Sequence, residues 1–238
     1  MIANSYYTLI HSMGGGSTLN TGLIAYYKAE NNANDELGLY NGTAIGGLTY
    51  TVGKNGNCFT FNGTNSYITL PNNTMAFTVA YSISLWFRTN SASTERYIIT
   101  NAQKQGGAAG QWKGFQVFTY LSKVYFRLWN TNVNSDVVCT TTIVNSTWYH
   151  LVVTFSGTSQ KIYINGVLEA TNNSPVTPNY TTPNFPTIGA TYYYGAVPYD
   201  TGTIFNGNID EINLQNKELT QTEVTELYAS GSGKFYPF

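Results

Sequence analysis

Trp148-Tyr149-His150-Leu151-Val152-Val153-Thr154-Phe155 and, after a short gap, Lys161-Ile162-Tyr163-Ile164-Asn165-Gly166-Val167-Leu168-Glu169-Ala170 decide the fold. The first run is continuous, apolar and rich in β-branched and aromatic residues, which reads as a strand. Residues 161–164 read as a second strand and 167–170 as a third. Asn165-Gly166 joins them as a two-residue hairpin turn, because both residue types tolerate positive φ. Asn62-Gly63 is given the same role. Further on, Phe205-Asn206-Gly207-Asn208-Ile209-Asp210-Glu211-Ile212 reads as a late strand, and Leu219-Thr220 opens a helix over 221–229. Thr220-Gln221-Thr222-Glu223 fits a capping box, in which hydroxyl and carboxylate each meet a free N–H of the first turn. Val224, Leu227 and Tyr228 share one face of that helix, and Gly231 stops it.

The same logic extends upstream. Ser82-Ile83-Ser84-Leu85-Trp86-Phe87 and Val124-Tyr125-Phe126-Arg127-Leu128-Trp129 alternate with period two. Strands are expected over 22–27, 58–61, 67–70, 81–88, 97–100, 115–120, 123–129 and 137–144, divided by Gly, Asn and Ser. Many short strands with frequent turns indicate an all-β fold, an antiparallel two-sheet β-sandwich with one short C-terminal helix.

With 238 residues the chain suits one large β domain, and 10% charged residues is far below the roughly 25% usual for soluble domains. Asn, Thr, Ser, Gln and Tyr must carry its solubility. A net charge of −1 supplies no electrostatic footprint for nucleic acid. No apolar run reaches the eighteen or so residues of a membrane span. Residues 1–12 lack the basic start and apolar centre of a signal peptide, so export by the usual route is not expected. Cys58 and Cys139 are expected as buried free thiols acting as small apolar groups. Residues 1–20 differ from the rest: Ile2, Tyr6, Tyr7, Leu9, Ile10 and Met13 precede Gly14-Gly15-Gly16-Ser17, a flexible joint by composition. They read as an arm and hinge that pack on a neighbouring subunit or else fold back on their own sandwich, with residues 21–238 as the domain.

Ordered as they are, these segments resemble the laminin-G-like, concanavalin-A-type lectin domains. The resemblance rests on the Trp148-Tyr149-His150 strand, Tyr163-Ile164-Asn165-Gly166, Gly207-Asn208-Ile209-Asp210-Glu211 and the terminal helix. It also rests on Gly53 to Gly63 with its Cys58-Phe59-Thr60-Phe61 strand, and on Tyr81-Ser82-Ile83-Ser84-Leu85-Trp86-Phe87-Arg88. It spans about residues 22–231 and implies a jelly-roll sandwich that binds surfaces or glycans without chemistry. It further implies one structural Ca²⁺ at the sandwich rim, held by Glu30 and Asp35 of the first long loop and Asp210 of the late strand. The family often carries Asp where this chain has Asn62 and Ser66, which are weaker cation ligands.

No catalytic pattern emerges. Related sandwich glycosidases set two carboxylates on one strand face, and no Glu-x-Asp-x-x-Glu stretch occurs here. Asp210-Glu211 and Asp35-Glu36 are adjacent pairs, which on a strand point to opposite faces. His150 is expected as a structural imidazole, and His11 lies in the arm. For ligand binding, Tyr192-Tyr193-Tyr194 between Gly189 and Gly195 reads as a loop of exposed rings, and Trp112 sits in a Gly- and Ala-rich loop over 106–114. With Arg96, Tyr97 and Tyr199 they compose a polar-aromatic patch for a partner, or else packing at a subunit interface. The expectation is a non-enzymatic surface-binding or structural protein, a phage virion component (tail, fibre or capsid decoration). It would belong to a homo-oligomer or larger assembly built through residues 1–20, and adhere to a glycan or host surface. The alternative is a secreted carbohydrate-binding module or bacterial lectin.

Overall fold

The computed structural model describes residues 17–72, 74–77, 79–105, 111–180, 184–193 and 201–238. Sixteen strands follow in chain order. They are β1 (Leu23–Tyr27), β2 (Thr43–Ile45), β3 (Thr49–Val52), β4 (Asn57–Asn62), β5 (Tyr67–Thr69), β6 (Tyr81–Thr89), β7 (Arg96–Gln105) and β8 (Gln111–Tyr120). Then come β9 (Lys123–Asn130), β10 (Val133–Val138), β11 (Tyr149–Phe155), β12 (Gln160–Ile164), β13 (Val167–Asn172), β14 (Thr187–Ile188), β15 (Tyr192–Tyr193) and β16 (Asn206–Gln215). Helix α1 is Gln221–Tyr228.

They form two sheets. The first runs β13-β12-β11-β6-β16-β4-β3, with β1 also on β16, and the second runs β10-β9-β8-β7-β14-β5-β2. Pairing is antiparallel, apart from β15 lying parallel to β7 and a parallel bridge between Tyr97 and Ile204. This is the antiparallel two-sheet sandwich that the alternating pattern predicts, in the jelly-roll form that the resemblance implies.

Alternation places the core between the sheets. Ile83, Leu85 and Phe87 of β6, Leu151 and Val153 of β11, and Val124, Phe126 and Leu128 of β9 all belong to one buried cluster. Tyr81 sits at its centre, stacked on Phe77 at 4.4 Å and touching Phe115, Phe126 and Phe155. Each such side chain contributes about 1.5–3 kcal/mol by leaving water. Cys58 and Cys139 are buried and free.

The outer face of the first sheet is covered. Val152 and Tyr163 meet Leu19, Leu219, Val224 and Leu227 in a second cluster, with Phe238 packed against it. Helix α1 carries the expected capping box of Thr220 and Glu223 and ends at Ala229 in the left-handed region. Tyr228 stacks over Trp86 and His150. Leu19 is fully buried here and its carbonyl accepts from Gln215 Nε2 at 2.8 Å, so residues 17–20 belong to the sandwich body and not to an arm. Residues 1–16 lie outside the described residues.

Of the two expected hairpin turns, one holds and one changes. Asn165-Gly166 does turn β12 into β13, with φ of 51° and 80°. Asn62-Gly63 is not a hairpin, because β4 and β5 lie in different sheets. It is a corner: Asn62 Oδ1 accepts from the amides of Thr64, Asn65 and Ser66, and Gly63 takes φ 74°. Strand β16 has a bulge between Asp210 and Asn213, with Glu211 at φ 52°. Its neighbour changes there, from β4 beside 206–209 to β1 beside 212–215.

Candidate functional site

Among the described residues no α-helix covers the outer face of the second sheet. On β9 the core phase is Val124, Phe126 and Leu128, which sends Tyr125, Arg127 and Trp129 outward. Register sets Phe118 opposite Tyr125, Gln116 opposite Arg127 and Gly114 opposite Trp129 on β8. On the other side, β10 sets Asp136 opposite Arg127 and Asn134 opposite Trp129. Tyr97 and Thr100 of β7 face Phe118 and Gln116.

These side chains form a continuous polar-aromatic row. Tyr97 packs on Phe118 at 5.6 Å, and Phe118 stacks on Tyr125 at 5.1 Å with planes 12° apart. The Arg127 guanidinium lies over Phe118 at 5.1 Å and over Trp129 at 5.4 Å. Trp129 stacks on Trp112 at 6.0 Å and 21°. The row grades from nearly full burial at Tyr97 and Phe118 to half-burial at Tyr125, Arg127, Trp129 and Trp112.

Its polar groups hold the rings in place. Trp129 Nε1–H donates to Gln116 Oε1 at 2.8 Å, and Gln116 Nε2 donates to Thr191 Oγ1 at 3.4 Å. Arg127 makes a two-pronged pair with Asp136, Nε to Oδ1 at 2.8 Å and Nη2 to Oδ2 at 2.7 Å. That pair raises the Arg127 pKa further, so its charge is permanent. The result is flat apolar rings edged by oriented donors and acceptors, which suits a ligand having both C–H faces and hydroxyls.

Of the residues proposed from sequence, Trp112 and Tyr97 belong to this row. Trp112 is not on a loop: it lies in β8 opposite Lys104 of β7, since the β7–β8 hairpin reaches beyond the apolar residues that reveal it. Tyr192 stacks on Phe185 at 4.2 Å and pairs with Gln103, so Tyr192 and Tyr193 form a short strand and not an open loop. Arg96 takes no place in the row: its Nη1 donates to the carbonyls of Gly63 and Ile204 and ties two connections to β7. Tyr194 and Tyr199 lie outside the described residues. Gln116, Tyr125, Arg127, Trp129, Asn134 and Asp136 were missed. For Tyr125, Arg127 and Trp129 the signal was the second phase of the 124–129 alternation, Tyr-x-Arg-x-Trp; Gln116, Asn134 and Asp136 join them only through cross-strand register.

Glu30, Asp35 and Asp210 serve backbone amides. Asp35 Oδ1 accepts from Tyr26 and Leu37, and Oδ2 from Leu39 and Tyr40. Asp210 Oδ2 accepts from Lys54 and Asn55, and Oδ1 from Glu211. Both oxygens of Glu30 accept from Asn57 N at 3.2 Å. No group of three or more His, Cys, Asp or Glu side chains among the described residues is placed to hold a metal ion. The three carboxylates therefore do not fit the shared Ca²⁺ expected of them, because their lone pairs close loops instead.

The buried acids also depart from the alternation rule. The bulge lets Asp210 and Glu211 turn to one place, where both bind Asn55, Asp210 through its N–H and Glu211 through its amide at 2.7 Å. Tyr26 O–H donates to Glu211. Burial pushes both carboxyls up, Asp210 to about 8 and Glu211 to about 7. His150 is buried beneath α1 with Nε2 2.9 Å from Ser84 Oγ. Burial depresses it to about 3, so it is a neutral structural imidazole, as its place in the sequence suggests.

Known structures share this architecture. Domain 4 of AbnA, a GH43 extracellular arabinanase from Geobacillus stearothermophilus solved with arabinotriose, matches with TM-score 0.68 and 23% identity, over 85% of this chain and 96% of that one. The binding domain of Paraclostridial Mosquitocidal Protein 1 matches with TM-score 0.69 and 16% identity, over 89% of this chain and 53% of that one. The botulinum neurotoxin DC binding domain, solved with rat synaptotagmin II, gives TM-score 0.66 and 17% identity over 89% and 52%. This chain thus spans about half the length of those toxin binding domains. At such identities the likeness establishes the fold alone. No curated protein sequence matches the chain. The profile of Laminin_G_3, described as the concanavalin A-like lectin/glucanases superfamily, matches residues 62–225, and the chain belongs to that family.

Proposed function

We propose that this protein is a non-catalytic binding domain that recognises glycans through the outer face of the β7–β10 sheet. One observation carries this: the half-buried Trp112–Trp129 stack with Arg127 and Asp136 beside it, on the sheet face that α1 does not cover. Sugars present C–H faces to aromatic rings and hydroxyls to amides and charged groups, and interface aromatics commonly dominate such binding. Binding is favoured over hydrolysis because Asp210, Glu211 and His150 are all buried and satisfy structural needs.

The test is a glycan array probed with wild type and Trp129→Ala. Wild type should bind one neutral glycan class, and the variant should lose at least about tenfold in affinity. Equal binding by both would remove the face from consideration. We place this binder on a phage virion or a comparable particle, on the strength of its charge-poor composition and the apolar residues before Gly14-Gly15-Gly16. Deletion of residues 1–16 should leave melting unchanged and abolish incorporation into the particle. Normal incorporation would remove the tether.

A further inference from the structure

We infer that Arg127 and Asp136 form a subsite for a vicinal diol of an uncharged saccharide whose ring lies against the exposed edge of Trp129; this rests on the glycan-binding face described above. Arg127 and Trp129 are two residues apart on β9, so their outward side chains stand about 7 Å apart. A sugar ring set against the outer edge of the indole therefore brings its hydroxyls over the guanidinium. Across the ladder, Asn134 opposes Trp129 and Asp136 opposes Arg127, which closes a two-by-two group.

The pair retains unused capacity. A guanidinium has five N–H donors, and Asp136 takes Nε–H and one of Nη2. Asp136 Oδ1 also receives Asn134 Nδ2 at 3.4 Å, while Oδ2 receives only Arg127 among the described residues. Three N–H donors thus stand beside an acceptor oxygen. Adjacent sugar hydroxyls present the complement: the lone pair of one meets the guanidinium and the proton of the next meets Oδ2. Both side chains are about a quarter exposed, so the pair is within reach of a ligand. The rings of Phe118 and Trp129 hold the guanidinium flat, which limits the ordering required on binding. Because each charge already meets its opposite, a carboxylated or sulfated sugar finds no unpaired cation in the pair and lies against Asp136.

Calorimetry with arabino-, gluco- and galacto-trisaccharides would select the tightest probe, and its singly deoxygenated analogues would then be compared. Hydrogen bonds to charged groups of this kind make removal of one hydroxyl of the diol cost wild type about tenfold. Arg127→Lys and Asp136→Asn should each bind the parent trisaccharide about tenfold more weakly, with melting temperatures within about 4 °C of wild type. Arg127→Lys should lose nothing further on the deoxy analogue. Parent affinity unchanged in Arg127→Lys, or a deoxy penalty equal in both proteins, would overturn the subsite. If both charge variants bind normally while Trp129→Ala does not, the diol subsite fails and the aromatic face stands. Should wild type bind none of the saccharides, both fail. The deoxy comparison on wild type alone decides the matter if a variant does not fold.

Discussion

The residues of the outer face divide into supports and platforms. Gln116 is nearly fully buried and spends its carbonyl on the Trp129 N–H, so it fixes the indole plane between Trp112 and Arg127 and leaves the outer ring edge for a partner. Trp112 extends that surface. A core Trp truncated to Ala costs about 3–5 kcal/mol, whereas a half-exposed one that stacks on a neighbour should cost less. Trp112→Ala is accordingly expected to lower unfolding free energy by under about 2 kcal/mol in urea melts while weakening ligand binding. A loss in the core range would mean that this ring holds the sheet together. The second residue-scale consequence concerns Glu211 and Asp210, pushed up to about 7 and 8 by burial. The unfolded chain releases these protons near pH 4, and the folded protein keeps them until pH 7–8. Between those values the folded state binds more protons, so stability is fully present below about pH 4 and is lost as pH rises through 7–8. His150 acts oppositely but only below about pH 6.5, since its depressed folded pKa of about 3 makes stability fall as acid charges the unfolded chain. Melting temperature should therefore fall from pH 6 to pH 9, and Glu211→Gln should flatten that fall. A variant with the wild-type slope would show that Glu211 is already ionised in the folded protein.

Among the elements, α1 and the β7–β8 hairpin mark how far the sequence is legible. The capping box at Thr220 was readable because its logic is confined to four residues, and the structure contains both of its hydrogen bonds. Thr220→Ala should cost about 1 kcal/mol, measured as a shift of the urea midpoint at constant slope. The hairpin was only half legible. Apolar alternation revealed residues 115–120, but Gln111, Trp112 and Lys113 lack it, and their strand character comes from pairing with Gln103, Lys104 and Gln105. Asn62-Gly63 misled for a related reason: a turn's local chemistry does not say whether the next strand returns to the same sheet. The Asp210–Asn213 bulge was hidden in one residue, Glu211, whose positive φ no local pattern announces. Gly114 has a role that the sequence leaves silent. It takes φ 98°, and a Cβ there would sit 1.9 Å from the Asn101 carbonyl oxygen. Gly114→Ala must displace β7 or β8 directly under Trp129, so it should destabilise the fold and impair binding together. Wild-type melting in that variant would contradict the close approach.

At the scale of the whole molecule the two outer faces differ in what covers them. The β6–β11 face is sealed by α1 and the chain's last residues over a hydrogen-bonded layer of Ser84, His150 and Asn55 with the buried acids, and its work is stability. The β7–β10 face carries rings and a charge pair at intermediate exposure, and it is the face we propose for recognition. Loop closure by Asp35, Glu30 and Asp210 needs only backbone amides, so a chelator should leave the melting temperature where it was. A drop reversed by Ca²⁺ would reinstate the metal that this arrangement does not accommodate. The division of faces is tested most directly by backbone and side-chain NMR shifts recorded while the trisaccharide that binds most tightly is titrated in. Perturbations should gather on Gln116, Tyr125, Arg127, Trp129, Asn134 and the Trp112 indole, leaving Trp86, His150 and α1 unmoved. Shifts concentrated at α1 or the loop around Asn55, with the β9 row silent, would contradict the account.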